Sequence, residues 1–204
     1  MKKNLTLAAM IFAVISINAH ANTINQNYSS KINLPLNNDN ISKKCFVKMN
    51  DGTIREFKTL TLVTGLFKSP HLLADGKIKI KPSEILEYKT NDQYAVSQRL
   101  FEDGRHSNVS TETLPGFAVL VMNGPLNVYS KKYFNGTVSI DEFFIQSGNE
   151  GKIYAFSIKR MTELLASQPE ALNAFLNHDT DSNLSSRLQH VNSLMIETTL
   201  TAKN

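Results

Sequence analysis

His106 lies beside Arg105 in a polar stretch from Glu102 to Gly116. A loop of about 15 residues is long for a compact domain, and loops of that kind often carry function. An imidazole titrates near neutrality, so His106 is the histidine here best placed for acid–base work. The other histidines past residue 21 are His71, His178 and His190. None shares a zinc-type spacing with a carboxylate or thiol, so no metal site is expected. Asp179, Asp181 and Asn183 copy the first three ligand positions of a calcium-binding loop. Leu184 then replaces the required glycine, and His190 stands where the bidentate glutamate belongs, so the segment reads as a solvated helix cap.

Other chemistries find no motif. Serine hydrolysis on a nucleophile elbow would need Gly-x-Ser-x-Gly, which does not occur. Gly148-Asn149-Glu150-Gly151 follows no phosphate-binding pattern and fits a hairpin turn. Asp51-Gly52, Asp75-Gly76 and Asp103-Gly104 recur without fixed spacing and read as turns. A glycosidase needs two carboxylates about 5 to 9 Å apart, a geometry that linear spacing does not specify. No residue is therefore nominated as catalytic, cofactor-binding or metal-ligating, and no cofactor is expected.

The first 21 residues read as a secretory signal peptide. Lys2 and Lys3 form the positive end, Leu5 to Ile17 the apolar core, and Ala19-His20-Ala21 the small-x-small cleavage site before Asn22. An apolar run this short falls below the roughly 20 residues of a membrane-spanning helix, and no later stretch could span as one. Cleavage would leave 183 of the 204 residues, with 20 basic against 18 acidic once Lys2 and Lys3 are gone. That near balance argues against nucleic acid as a partner. Lys43-Lys44 and Lys131-Lys132 are pairs rather than patches and read as solvated strand ends. Cys45 is the only cysteine, and its place before Phe46 and Val47 suggests a buried, inert thiol.

Residues 22–44, rich in Asn and Ser, read as a flexible leader with one possible edge strand around Leu34-Pro35-Leu36. Residues 45–204 follow as one α+β domain.

Its centre is Phe117 to Tyr133. Phe117–Met122 is six apolar residues with β-branched Val119 and Val121, the makeup of a strand buried on both faces; a short buried helix is the competing reading. Asn123-Gly124 favours positive φ at both turn positions. Pro125 starts the second strand or sits in a slightly longer loop. In the return strand Leu126 and Val128 share one face, and Asn127, Tyr129 and Lys131 the other.

Asn50-Asp51-Gly52 marks another hairpin, from Cys45–Met49 into Thr53–Phe57, which Thr59–Val63 would extend. Lys77–Lys81 alternates, with Ile78 and Ile80 inward and three lysines in water. Pro82-Ser83-Glu84 suggests a single helical turn that returns Ile85 to the core. Leu86–Lys89 and Gln93–Leu100 pair around Asn91-Asp92. Strands near Glu142–Gln146 and Lys152–Phe156 follow Asn135-Gly136. The tail carries three helical stripes: Met161, Leu164 and Leu165; Leu172, Phe175 and Leu176, entered through Ser167 as N-cap and Pro169; and Leu184, Leu188, Val191 and Met195. Strands first and helices last argue for an antiparallel α+β layout with about three helices packed on the sheet.

Lys81-Pro82-Ser83-Glu84-Ile85 with Tyr88 and Tyr94, Gly124-Pro125-Leu126-Asn127-Val128-Tyr129 and Glu142-Phe143-Phe144-Ile145 occur in that order, with helices after them. In these features the chain resembles a broad group of uncharacterised secreted proteins of Gram-negative bacteria. The resemblance implies the same β-then-α layout and brings no activity or site residue.

The leading expectation is an exported, non-catalytic binding or interaction protein, periplasmic or extracellular, with an envelope or extracellular partner. It should present an exposed apolar patch or groove bearing Tyr129 or Tyr133. The alternatives are a secreted hydrolase with its site near His106, and a carrier holding an apolar small molecule between sheet and helices. No oligomeric state is implied.

Overall fold

The computed structural model describes residues 45–64, 69–104, 112–134, 136–177 and 183–201. They form an α+β fold in which strands precede helices. The strands are β1 (Cys45–Met49), β2 (Ile54–Phe57), β3 (Leu60–Val63), β4 (His71–Ala74), β5 (Ile78–Ile80), β6 (Ile85–Lys89), β7 (Tyr94–Ser97), β8 (Phe117–Met122), β9 (Leu126–Phe134), β10 (Ser139–Ser147) and β11 (Ile153–Ala155). The helices are α1 (Ile158–Leu165), α2 (Pro169–Leu176) and α3 (Leu184–Thr201).

Eight strands form one antiparallel sheet in the order β11-β10-β9-β8-β7-β6-β1-β2, and β3-β4-β5 form a second. Short connections make antiparallel neighbours of β1 and β2, β3 and β4, β4 and β5, β6 and β7, β8 and β9, β9 and β10, and β10 and β11. At 50–53 the Asp51 carboxylate accepts the Thr53 N–H at 2.9 Å, and Gly52 takes φ +84°, which a β-carbon would resist.

Side chains alternate across the large sheet, so register divides them between its two faces. Val47, Tyr88, Ala95 and Val119 run across one face as successive cross-strand partners. The second sheet packs on this face, where Leu60, Leu72, Ala74 and Ile80 join the cluster of Val47, Tyr88 and Phe117. Further along the same face the helices bring Met161, Leu165, Phe175, Leu188 and Val191 against Leu126, Val128 and Ile145. Burying side chains of this size contributes about 1.5–3 kcal/mol each.

The opposite face is covered differently. After β7 the chain makes a 3₁₀ turn over Gln98–Leu100 and crosses β8, β9 and β10 to reach the rim at β11. Phe101 packs on Tyr129 and Phe144, with ring centroids 6.1 and 4.6 Å away. It then forms a parallel bridge with Ile153. The Glu102 N–H donates to the Ile153 carbonyl at 2.9 Å, and the Ala155 N–H donates to the Asp103 carboxylate. The β11 end of the sheet is thereby tied down. At the other end β2 carries Arg55 and Glu56, charges that discourage further strand pairing.

Several expectations meet corrections. Thr59–Val63 does not extend the first hairpin: β3 belongs to the second sheet. Ile78 is 52% exposed, because β5 is an edge of that sheet and only Ile80 reaches the core. Gln93–Leu100 is not one strand, since β7 stops at Ser97. Neither Asn123 nor Gly124 has positive φ. Three residues join β8 to β9, with a bulge after Leu120, and Asn127 Oδ1 accepts the Gly124 N–H at 3.1 Å. Gln168 rather than Ser167 is the N-cap of α2. Ser157 caps α1, its hydroxyl accepting the Arg160 N–H at 3.1 Å. The strand reading of Phe117–Met122, the turn at Pro82–Glu84 and the stripe residues Met161, Leu165, Phe175, Leu188, Val191 and Met195 all match their expected environments.

Candidate functional site

Three chain segments meet at one end of the large sheet: the 3₁₀ turn Pro82–Glu84 entering β6, the residues leaving β7, and those entering β8. These strands are antiparallel neighbours, so the start of β6, the end of β7 and the start of β8 fall side by side. Between them lies a cleft of about 540 Å³ lined by Pro82, Ser83, Ser97, Gln98, Arg99, Pro115, Gly116 and Phe117. Ligand sites of small molecules have this size and this mixture of apolar wall and few polar groups.

Its floor is fixed from below. The Gln98 N–H donates to the Gly116 carbonyl at 2.8 Å, continuing the β7–β8 ladder one step past the strand. The Phe117 N–H closes a turn on the Leu114 carbonyl at 3.1 Å. The Thr113 hydroxyl, buried, reaches the Leu114 and Phe117 carbonyls at 2.9 and 3.0 Å.

Arg99 forms the polar wall. Its Nε donates to the Ser97 hydroxyl at 3.1 Å, and its Nη2 donates to the Ile85 carbonyl at 2.5 Å and faces the Pro82 carbonyl at 3.4 Å. All three acceptors are uncharged, so they hold the guanidinium in place without neutralising it. Its Nη1 has no partner among the described residues, and Arg99 makes no ion pair with any of them.

Behind the cleft, the Gln98 amide oxygen accepts from Lys131 Nζ at 2.5 Å. Lys131 is 0% exposed. Its cross-strand partner is Glu142. Burial pushes the ammonium below its ordinary pKa, and the Glu142 charge opposes that shift. Further along the same face Glu87 accepts from Lys48 Nζ at 2.8 Å and from the Tyr94 hydroxyl at 2.7 Å. Tyr129 donates to the Gln146 amide oxygen at 2.6 Å. Burial drives the phenols of Tyr94 and Tyr129 well above their usual range.

The residues singled out from sequence are distributed as follows. Ala19, Ala21 and Asn22, the leader with Leu34 and Leu36, Lys43-Lys44, and His106, Asn135, His178, Asp179 and Asp181 lie outside the described residues. Tyr129 and Tyr133 are not on an exposed patch: they are 4% and 9% exposed, and the chain crossing after β7 covers Tyr129 through Phe101. Nor is Lys131 a solvated strand end, since Gln98 of the same segment bonds it. Asn183 does act as a helix cap, its side chain accepting the Ser186 N–H at 2.8 Å. Cys45 is buried and free, with its sulfur 3.4 Å from Asn91 Oδ1. Among the described residues, no group of three or more His, Cys, Asp and Glu side chains could hold a metal ion. No described helix is long and apolar enough to cross a membrane.

Ser97-Gln98-Arg99 was not singled out by sequence. The available signal was the polar Gln-Arg pair that interrupts the apolar run begun at Tyr94. No protein-family model, curated protein or solved structure matches this chain.

Proposed function

We propose that this chain is an exported protein that acts by binding, with the cleft beside Arg99 as its ligand site. The observation that carries the reading is Arg99 itself: a guanidinium fixed by Ser97, Pro82 and Ile85, with one nitrogen unpartnered among the described residues, at the wall of a 540 Å³ cleft. Fixed donors facing apolar wall favour recognition, because little freedom remains to be lost when a ligand arrives. The lining side chains are two serines, a glutamine, an arginine, two prolines and a phenylalanine, a set suited to holding and orienting. The charged, apolar and small-x-small order of residues 1–21 supports export to the periplasm or the cell exterior.

The test uses the processed protein as bait against an extract of its own cell envelope, beside a variant with the cleft blocked. Ser83 is exposed at the rim, and its carbonyl accepts from Asn50 Nδ2 at 2.7 Å. Ser83→Trp keeps that main-chain bond and fills the mouth. A molecule retained by the wild type and lost with Ser83→Trp is the expected result. Equal retention by both proteins would remove the cleft from the function.

A further inference from the structure

The cleft has a sign as well as a volume. Among its described lining residues Arg99 alone is ionised at neutral pH, and none of them is acidic. The next cation inward, Lys131, is fully buried behind Gln98 and bonded to it. Among the described residues, a ligand in the cleft therefore meets one exposed, fixed positive charge and one guanidinium nitrogen without a partner. A single guanidinium matches a single negative charge, whereas a dianionic phosphate is usually held by several donors and cations together. Around Arg99 the half-buried walls are Pro82 and Pro115, which suit an apolar or ring-shaped body and offer little to a small hydrated ion.

We propose that the cleft binds an organic monocarboxylate with an apolar body, its carboxylate on Arg99 Nη1 and its body against Pro82 and Pro115. This deepens the proposed function and rests on it for the statement that the cleft is a ligand site.

The experiment follows the amide and Arg99 Nε signals of the isotopically labelled, purified protein by NMR, at constant pH and ionic strength. Three matched probes are titrated: N-acetyl-phenylalanine, its neutral amide, and phenyl phosphate. The carboxylate should shift Ser97, Gln98, Arg99, Gly116 and Phe117, and bind roughly tenfold or more tightly than the amide, since charge-assisted bonds are the stronger kind. Arg99→Gln should bring the carboxylate down to the level of the amide. Because Arg99 also ties Pro82 and Ile85, Ser83→Trp serves as a second variant that leaves those bonds intact, and it should weaken both probes together.

Equal affinity for carboxylate and amide would overturn the charge assignment while leaving the cleft a binding site. Tighter binding of phenyl phosphate would overturn the choice of a monocarboxylate. Signals that stay still with all three probes up to about 10 mM, weaker than any affinity worth calling recognition, would overturn this proposal, while the capture comparison of wild type with Ser83→Trp decides the proposed function separately.

Discussion

The side-chain amide of Asn192 on α3 clasps both main-chain groups of Leu126 at the start of β9. Its Oδ1 accepts the Leu126 N–H at 2.8 Å, and its Nδ2 donates to the Leu126 carbonyl at 2.7 Å. The side chain thus pairs as a neighbouring strand would, and it joins helix to sheet where both are buried. Asn192→Ala leaves a buried N–H and a buried C=O without partners. At about 1–3 kcal/mol for each orphaned group, a loss of roughly 2–6 kcal/mol is expected from urea unfolding. A β-carbon on Gly124 would fall 2.9 Å from Asn192 Oδ1. Gly124→Ala should therefore disturb the same clasp, and the double variant should cost less than the two single losses combined.

Gly104 and Gly52 separate two causes of glycine preference. Gly52 has φ +84° and open space where a β-carbon would go, so Gly52→Ala meets backbone strain alone, about 1 kcal/mol. Gly104 has φ +109°, and its β-carbon would lie 2.6 Å from Phe144 Cε1. Gly104→Ala should cost more than Gly52→Ala by about 1–3 kcal/mol, the range of core overpacking. Equal losses in chemical denaturation would show that the segment yields to Phe144 without strain.

Tyr88, Tyr94 and Tyr129 have phenols that burial raises above their ordinary value of 10.0. A raised folded-state pKa means that the folded chain keeps a proton the unfolded chain gives up. The stabilisation is complete below the unfolded pKa and is lost as pH climbs above about 10. Absorbance of tyrosinate during an alkaline titration should show these three ionising together with cooperative unfolding. Gradual ionisation of all tyrosines near pH 10 with the fold intact would contradict their burial.

Lys131 works in the opposite sense. Its folded pKa lies below the ordinary 10.5, so between the two values the unfolded chain binds more protons and stability rises with pH. The difference in unfolding free energy between wild type and Lys131→Met should shift toward the wild type as pH rises through that window. Measurement below pH 9.5 keeps the tyrosines out of the comparison, since a group of ordinary pKa about 10 is still largely protonated there. A difference that stays flat with pH would mean that Lys131 reaches water.

If residues 1–21 are removed on export, the mass of the protein recovered from the periplasm or medium should correspond to a chain beginning at Asn22. An uncleaved chain held in the membrane fraction would contradict the export reading.

Local pattern carried much of the architecture. The run Phe117–Met122, the Asn50-Asp51-Gly52 turn and the helical stripe Leu188, Val191, Met195 are each decided by neighbours a few residues away, and they fold as read. Lys131 shows where such reading stops. Alternation placed it correctly on the face of Tyr129, but that face is covered by a segment that includes Gln98 and Phe101. The contact of Gln98 with Lys131 spans 33 positions of the chain, and no periodicity records it. β3 was misassigned for a related reason: a strand pattern does not name its sheet. The cleft was invisible because its three walls come from separate turns, brought together by the order of β6, β7 and β8.

The segment that leaves β7 and fastens at β11 links Asp103 to Ala155, a separation of 52 residues. Contacts that far apart tend to be won late, since the intervening chain must already be in place. Gln98 and Arg99 belong both to that segment and to the cleft. Recognition would then switch on only at the end of folding, so a chain still threading through a membrane or newly released from it would hold no ligand, and occupancy of the cleft would report that maturation is complete.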